Sequence, residues 1–275
     1  MRSVLVFGMA CAAAAQTIEV PATIRQGSAM RAYAPAGAVS ARMGERTIRL
    51  FPQTDGRSFG LMPVPVLMKP GEYRIEALDA AGAVLSSAAV RVLDAHFPKQ
   101  NVVLAESVAE LKATPDEVQD AAAFRNIVSD KRYWAEPLQA PLPGCRTSAF
   151  GVQRYVNGKP TDDYHAGIDQ RGAAGTPIRA VADGVVKIVR DWKLHGKTVG
   201  IDHGQGLESM YLHMSRFAVT EGATVRKGAV IGYVGSTGRS TAPHLHWSLY
   251  ANGVPVNPGD WVRVTPCGTG EPKKR

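Results

Sequence analysis

The chain has 275 residues, of which 45% are hydrophobic and 20% charged, so it can bury a core as one or two domains, and a disordered chain is excluded. The formal net charge of +8 is unevenly shared: from residue 141 onward 17 Lys and Arg face 10 Asp and Glu, leaving 15 against 14 upstream. A basic surface of this kind favours acidic polymers, and in an exported protein these are carboxylate-bearing wall and anionic envelope polymers, with no nucleic acid expected.

The chain opens Met1-Arg2-Ser3, continues through an apolar stretch from Val4, and reaches Ala13-Ala14-Ala15 before Gln16. That succession of short basic region, apolar region and small-residue site predicts a signal peptide over residues 1–15, cleaved after Ala15. Cys11 raises the alternative of a lipoprotein, although Gly8-Met9-Ala10 makes a poor lipobox. The predicted location is the periplasm or cell envelope. No other stretch approaches the ~20 apolar residues that cross a bilayer, so no transmembrane segment is expected. Cleavage removes Cys11 and leaves Cys145 and Cys267, for which a disulfide is the expectation in an oxidising compartment.

Residues 16–94 carry short β-branched runs at 16–24, 38–41, 46–51, 72–78 and 87–93, separated by turns such as Lys69-Pro70-Gly71. Tyr73, Ile75 and Ala77 alternate with Arg74 and Glu76, as in a half-buried strand, and the region reads as a small β-sandwich. Residues 95–144 form a connector. Within it Thr114-Pro115-Asp116-Glu117 supplies an N-cap, a first-turn Pro and an acidic third position, predicting a helix over about 115–130 whose inner face is Val118, Ala121, Ala122, Ile127 and Val128. Residues 145–265 form a second domain with strands expected at 178–182, 185–190, 198–203, 208–214, 230–234 and 245–250, and residues 266–275 a tail. The fold class is therefore mainly β: a β-sandwich-like N-terminal domain, a short helical connector, and a C-terminal antiparallel β domain with loops walling a groove.

The chemistry sits in the second domain. Pro243-His244-Leu245-His246-Trp247 places two imidazoles one residue apart on a strand, so both emerge on one face. His165-Ala166-Gly167-Ile168-Asp169 adds an imidazole and a carboxylate, and Tyr211-Leu212-His213 a further imidazole. A catalytic zinc site draws three protein ligands from His and Asp or Glu at about 2.0–2.2 Å and keeps one position open for water. No His-Glu-x-x-His helix is present, so the glutamate base of that class is missing.

With Phe150-Gly151, Gly175-Thr176-Pro177, Ala182-Asp183-Gly184-Val185-Val186, Ile201-Asp202-His203-Gly204 and Gly235-Ser236-Thr237-Gly238, these segments resemble, in order and over roughly the last half of the chain, the lysostaphin-type (LytM-like) zinc peptidases that cut peptidoglycan peptides. The resemblance implies that His165, Asp169 and His246 bind Zn2+ and that His213 and His244 stay off the metal as proton-handling groups, which of them is the base being open. Zinc lowers the pKa of water to about 7 and polarises the scissile carbonyl. The Lys69-Pro70-Gly71-Glu72-Tyr73 segment and its place ahead of the peptidase resemble the N-terminal β-domain of some such enzymes. Two departures stand out: Ser248 where members often carry Glu, and Ala242 where Gly is common.

The implied function is an exported zinc metalloendopeptidase hydrolysing amide bonds in peptidoglycan stem peptides or cross-bridges. The alternatives are a noncatalytic regulator of another wall hydrolase, which would typically have lost ligands, and a wall-binding protein with a vestigial site. His203 reads as structural, and His195 and His96 as surface residues. Loops 153–163 and 191–197 are expected to set specificity.

Overall fold

The computed structural model describes residues 17–268. The expected leader and most of the expected tail lie outside the described residues. No helix among the described residues is long and apolar enough to cross a membrane.

The N-terminal part is a sandwich. One sheet has five strands in the order Thr23–Arg25, Val84–Leu93, Gly71–Leu78, Ser40–Met43 and Arg46–Arg49, the first pair parallel and the rest antiparallel. The other consists of Ala29–Ala34, Ser58–Pro63 and Phe51–Pro52. Met30, Ala32 and Met62 from one sheet meet Ala41, Ile75, Val90 and Val92 from the other in a continuous core. Two strands fall outside the runs picked out from sequence, Ala29–Ala34 and Ser58–Pro63. Every residue of Ser58–Pro63 is buried, because Met62 faces the sandwich core while Phe59 and Leu61 face the C-terminal core. A strand covered on both faces has no polar alternation to reveal it.

The C-terminal part is an antiparallel sheet of ten strands. Its path runs Arg146–Ser148, Ile168–Arg171, His244–Ala251, Leu207–Phe217, Gly196–Gly204, Gly184–Trp192 and Thr224–Val225, with Pro177–Arg179, Val230–Val234 and Val254–Val256 attached at the side. One face carries the large core with Ile168, Val199, Ile201, Tyr211, Leu245 and Trp247. The opposite face carries Ile188, Met210, Leu212 and Tyr250, on which the connector helix packs through Ala121 and Phe124.

That helix spans Pro115–Arg125, capped at its start by the Thr114 side chain on the Glu117 amide, and it ends short of the expected residue 130. After Asn126 the chain must turn so that Ser129 and Tyr133 reach the end of the strand Gly196–Gly204. The expected inner face is also corrected: Val118 is 56% exposed, and Phe124, not singled out from sequence, is buried. Upstream, Lys99–Val102 is a strand that pairs in parallel with Gln153–Val156, itself hairpin-paired with Lys159–Tyr164.

A run of rings ties the halves together, and a disulfide closes the C-terminal half on itself. Tyr33, Phe59, Trp134 and Trp261 form a run of neighbouring rings from the N-terminal sheet to the C-terminal 3-10 turn, with centroid separations of 5.0, 6.0 and 5.5 Å. Cys145 and Cys267 are bridged, their Cα atoms 4.8 Å apart.

Candidate active site

Antiparallel pairing builds the site. Ile168–Arg171 lies against His244–Ala251 with Asp169 opposite His246 and Arg171 opposite His244, so these four side chains share one face. His165 enters from the end of the hairpin strand Lys159–Tyr164. Gly167 lets the two segments close: a Cβ there would stand 2.3 Å from the Trp247 carbonyl oxygen and 2.8 Å from His246 Nε2.

The result is a triangle of donor atoms. His165 Nε2 is 3.0 Å from Asp169 Oδ1 and 2.9 Å from His246 Nδ1, and His246 Nδ1 is 2.9 Å from Asp169 Oδ1. His165 Nδ1 lies 2.7 Å from the Ala149 carbonyl oxygen, which can only accept, so the ring proton sits there and Nε2 presents its lone pair. Ser248 Oγ, 3.0 Å from His246 Nε2, can accept the proton of that ring and leave Nδ1 free. Three lone pairs then converge at one point, which calls for a cation. An ion equidistant from them at about 2.0–2.2 Å fits the spacing and leaves its outer side open. His165, Asp169 and His246 thus suit zinc in number, donor type and separation.

Electrostatics agree with that fit. Burial works against the Asp169 charge, yet His165 and His246 hold its carboxyl well below the ordinary carboxylate range. Burial pulls His246 down to about 4, keeping its ring neutral. Arg154 donates from Nη2 to Asp169 Oδ2 at 3.1 Å, occupying the carboxylate oxygen that does not face the triangle.

His213 reaches this face only through a backbone irregularity. Tyr211 and Met214 both belong to the large core, so two residues, Leu212 and His213, must turn to the opposite face between them. The chain achieves this at a bulge with His213 at φ 60°, a left-handed conformation uncommon outside Gly. Its ring then lies 5.0 Å from that of His244 and 6.2 Å from that of His246. His213 Nδ1 faces the Thr237 carbonyl oxygen at 2.8 Å and His244 Nδ1 the Ala242 carbonyl oxygen at 2.8 Å, so both rings carry their proton there and offer Nε2. His244 Nε2 stands 3.9 Å from Asp169 Oδ1. Burial, reinforced by the neighbouring His246 and His244, pulls His213 down to about 3.

The remaining histidines separate. His203 is buried, with Nδ1 on the Asp183 carbonyl and Nε2 on Ser209, and burial pulls it down to about 4. His96 is exposed. His195 is not a plain surface residue: its Nδ1 pairs with Glu117, a fully buried carboxylate that also accepts from the amides of Leu194 and His195 at 3.2 and 3.0 Å. The partner comes from the connector helix, 78 residues away, which no local pattern signals.

A cleft of about 360 Å³ opens over the triangle. Val102 and Leu104 of the connector, Val156 of the hairpin and the loop 239–243 all line it. Arg154 and Arg171 also border it. Period-two spacing from Asp169 and His246 was the signal that flags Arg171 and Ser248; the connector's contribution had none.

The sequence profile of Peptidase family M23 matches residues 163–258. The DD-carboxypeptidase/endopeptidase Mpg of Neisseria meningitidis is 50% identical over 102 residues, 37% of this chain and 24% of that protein. The peptidoglycan DD-endopeptidase ShyA of Vibrio cholerae is 43% identical over 93 residues, 34% of this chain and 22% of that protein. The chain thus spans about a quarter of the length of these curated relatives. Among solved structures, a peptidase M23 candidate from Pseudomonas aeruginosa superposes with a TM-score of 0.64 at 28% identity, covering 84% of this chain and 92% of that one. Residues 163–258, which hold the whole His165, Asp169, His213, His244 and His246 cluster, form a domain of peptidase family M23, the zinc metallopeptidases of the lysostaphin and LytM type.

Proposed function

We propose that the protein is an exported zinc metalloendopeptidase that hydrolyses amide bonds in peptidoglycan stem peptides or cross-bridges. The observation that carries this reading is the triangle of His165, Asp169 and His246 donor atoms, 2.9–3.0 Å apart, with the free Nε2 atoms of His213 and His244 beside it. Peptidoglycan as substrate is supported by the relatives named for DD-endopeptidase activity. Export is supported by the composition of residues 1–15 and by a disulfide in the mature chain.

Zinc, when bound, supplies a Lewis acid that polarises the scissile carbonyl and makes water acidic enough to react at neutral pH. His165 and His246 would hold the ion as neutral rings and Asp169 would offset its charge. Arg154 fixes Asp169 in place. His213 and His244 take a proton from the attacking water and deliver one to the leaving amine, each anchored by a backbone carbonyl so that Nε2 points at the substrate. The cleft walls of Val102, Leu104 and Val156 exclude water from one side of the bound peptide.

Elemental analysis with wall digestion tests the reading. The wild type should hold about one zinc per chain, release peptide fragments from purified sacculi, and lose both properties in His246→Ala and Asp169→Ala. Equal zinc content in all three proteins would sink the ligand assignment. Full zinc with no new amino or carboxyl ends by mass spectrometry would sink the hydrolase.

A further inference from the structure

Among the described residues the cleft over the triangle is lined by one carboxylate, Asp169, and that group is committed to His165, His246 and Arg154. An anionic group entering the cleft therefore meets no uncommitted carboxylate among the described residues. It meets Arg171. This residue lies two positions after Asp169 on the same strand and directly across from His244, so it shares the face that carries the site. Its side chain is exposed, and its backbone is held by the Cys145 carbonyl oxygen at 2.9 Å. Unlike Arg154, which is tied to Asp169, Arg171 makes no ion pair among the described residues.

A guanidinium in that position has a defined use. It presents a rigid fork of donors that matches a carboxylate in two parallel hydrogen bonds. Directly opposed residues on paired strands have Cβ atoms about 5 Å apart, so the Arg171 side chain springs from the strand beside His244. In an amide substrate the acyl residue's α-carboxyl is the scissile carbonyl itself. The α-carboxylate closest to the reacting atoms is thus that of the residue supplying the leaving amine, two bonds from the scissile nitrogen. Resting on the peptidase reading above, we propose that Arg171 is a specificity-determining residue that binds the free α-carboxylate of the leaving amino acid. The site then prefers bonds whose amine side ends in a free carboxylate over bonds inside a continuous peptide, where that carboxyl is an amide.

Two probes decide this: diacetyl-Lys-D-Ala-D-Ala and the same peptide with a C-terminal carboxamide. The zinc-loaded wild type should cut the acid with kcat/KM at least about 10-fold above the amide, the scale of a charge-assisted pair. In Arg171→Gln that ratio should fall to about one, mainly through KM, while zinc content and melting temperature stay at wild-type values. Arg171→Lys should restore part of the preference, since it keeps the charge and loses the fork. An unchanged acid-to-amide ratio in Arg171→Gln, or no preference in the wild type, overturns the inference. If neither peptide is cut, the hydrolase reading fails for this substrate, and calorimetric binding of the two peptides to the zinc-loaded protein still decides the role of Arg171. Tighter binding of the acid that disappears in Arg171→Gln upholds it, and equal binding removes it.

Discussion

His213 shows how a single dihedral assembles chemistry. Regular alternation would bury its ring in the large core beside Tyr211; the left-handed backbone at the bulge turns it toward His244 instead. Such a conformation costs roughly 1–3 kcal/mol and persists where the surroundings hold it, here the Thr237 carbonyl on Nδ1 and the bond from the His213 amide to the His195 carbonyl. With Nδ1 so occupied and its Nε2 free, His213→Ala should keep the zinc and lower wall hydrolysis by ~10² or more, the usual scale for general acid and base catalysis. Loss of metal in that variant would show that His213 is a ligand. Glu208 poses a different residue-scale question. It is fully buried, neither carboxylate oxygen has a hydrogen-bond partner among the described residues, and burial, with the nearby Asp202, raises its pKa well above the ordinary value. A carboxyl raised in the folded state favours folding below the unfolded value of about 4.3, and that contribution is lost as pH rises toward the folded value. Glu208→Met should therefore stabilise the protein at pH 7 by about 1–3 kcal/mol, with the gain shrinking toward pH 4. Denaturant titrations at the two pH values check this, and an equal gain at both would show that the carboxyl does not titrate as described.

At the scale of elements, the connector helix Pro115–Arg125 does more than link two parts. Ala121 and Phe124 cover the sheet face that carries Met210, Leu212 and Tyr250, and Glu117 reaches into the turn between Gly184–Trp192 and Gly196–Gly204. That turn holds His195, whose carbonyl receives the His213 amide. The helix thereby supports one border of the site. Burial opposes the Glu117 charge, but the Leu194 amide and the His195 ring and amide outweigh it, and the net pKa is lowered. A depressed carboxyl contributes stability above the unfolded value near 4.3 and loses it as pH falls through the folded value. Glu117→Ala should cost about 1–3 kcal/mol at pH 7 by leaving two amides and an imidazole without their acceptor, and the cost should fall in acid. Urea unfolding of both proteins across pH 3–7 measures it; a cost independent of pH would assign the loss to packing alone.

For the whole molecule, the closure of the C-terminal half is covalent as well as hydrophobic. The bridge between Cys145 and Cys267 closes a loop of sequence separation 122, which limits the unfolded chain by roughly 4–5 kcal/mol at most. Reduction should lower the melting temperature and leave the zinc in place, because no thiol belongs to the donor triangle. Thiol labelling of the unfolded, unreduced protein should find neither residue reactive; two reactive thiols would exclude the bridge. On the other side, the rings of Tyr33, Phe59, Trp134 and Trp261 make the sandwich and the M23 sheet share a core, so Phe59 and Leu61 serve the second half while Met62 serves the first. Much of the site was legible in the sequence, because its members sit in short segments with period-two spacing: His244 and His246 had to share a face, and the ordered segments around His165 and Asp169 pointed to one domain. The helix start at Pro115 was legible for a similar reason, since its cap is local. What only the tertiary structure decided depends on residues far apart in the chain. The bulge that turns His213 into the site, the doubly covered strand Ser58–Pro63, the grip of Glu117 on His195 and the connector wall of Val102 and Leu104 all arise from packing partners dozens of residues away, and periodicity within one segment carries no record of what covers it.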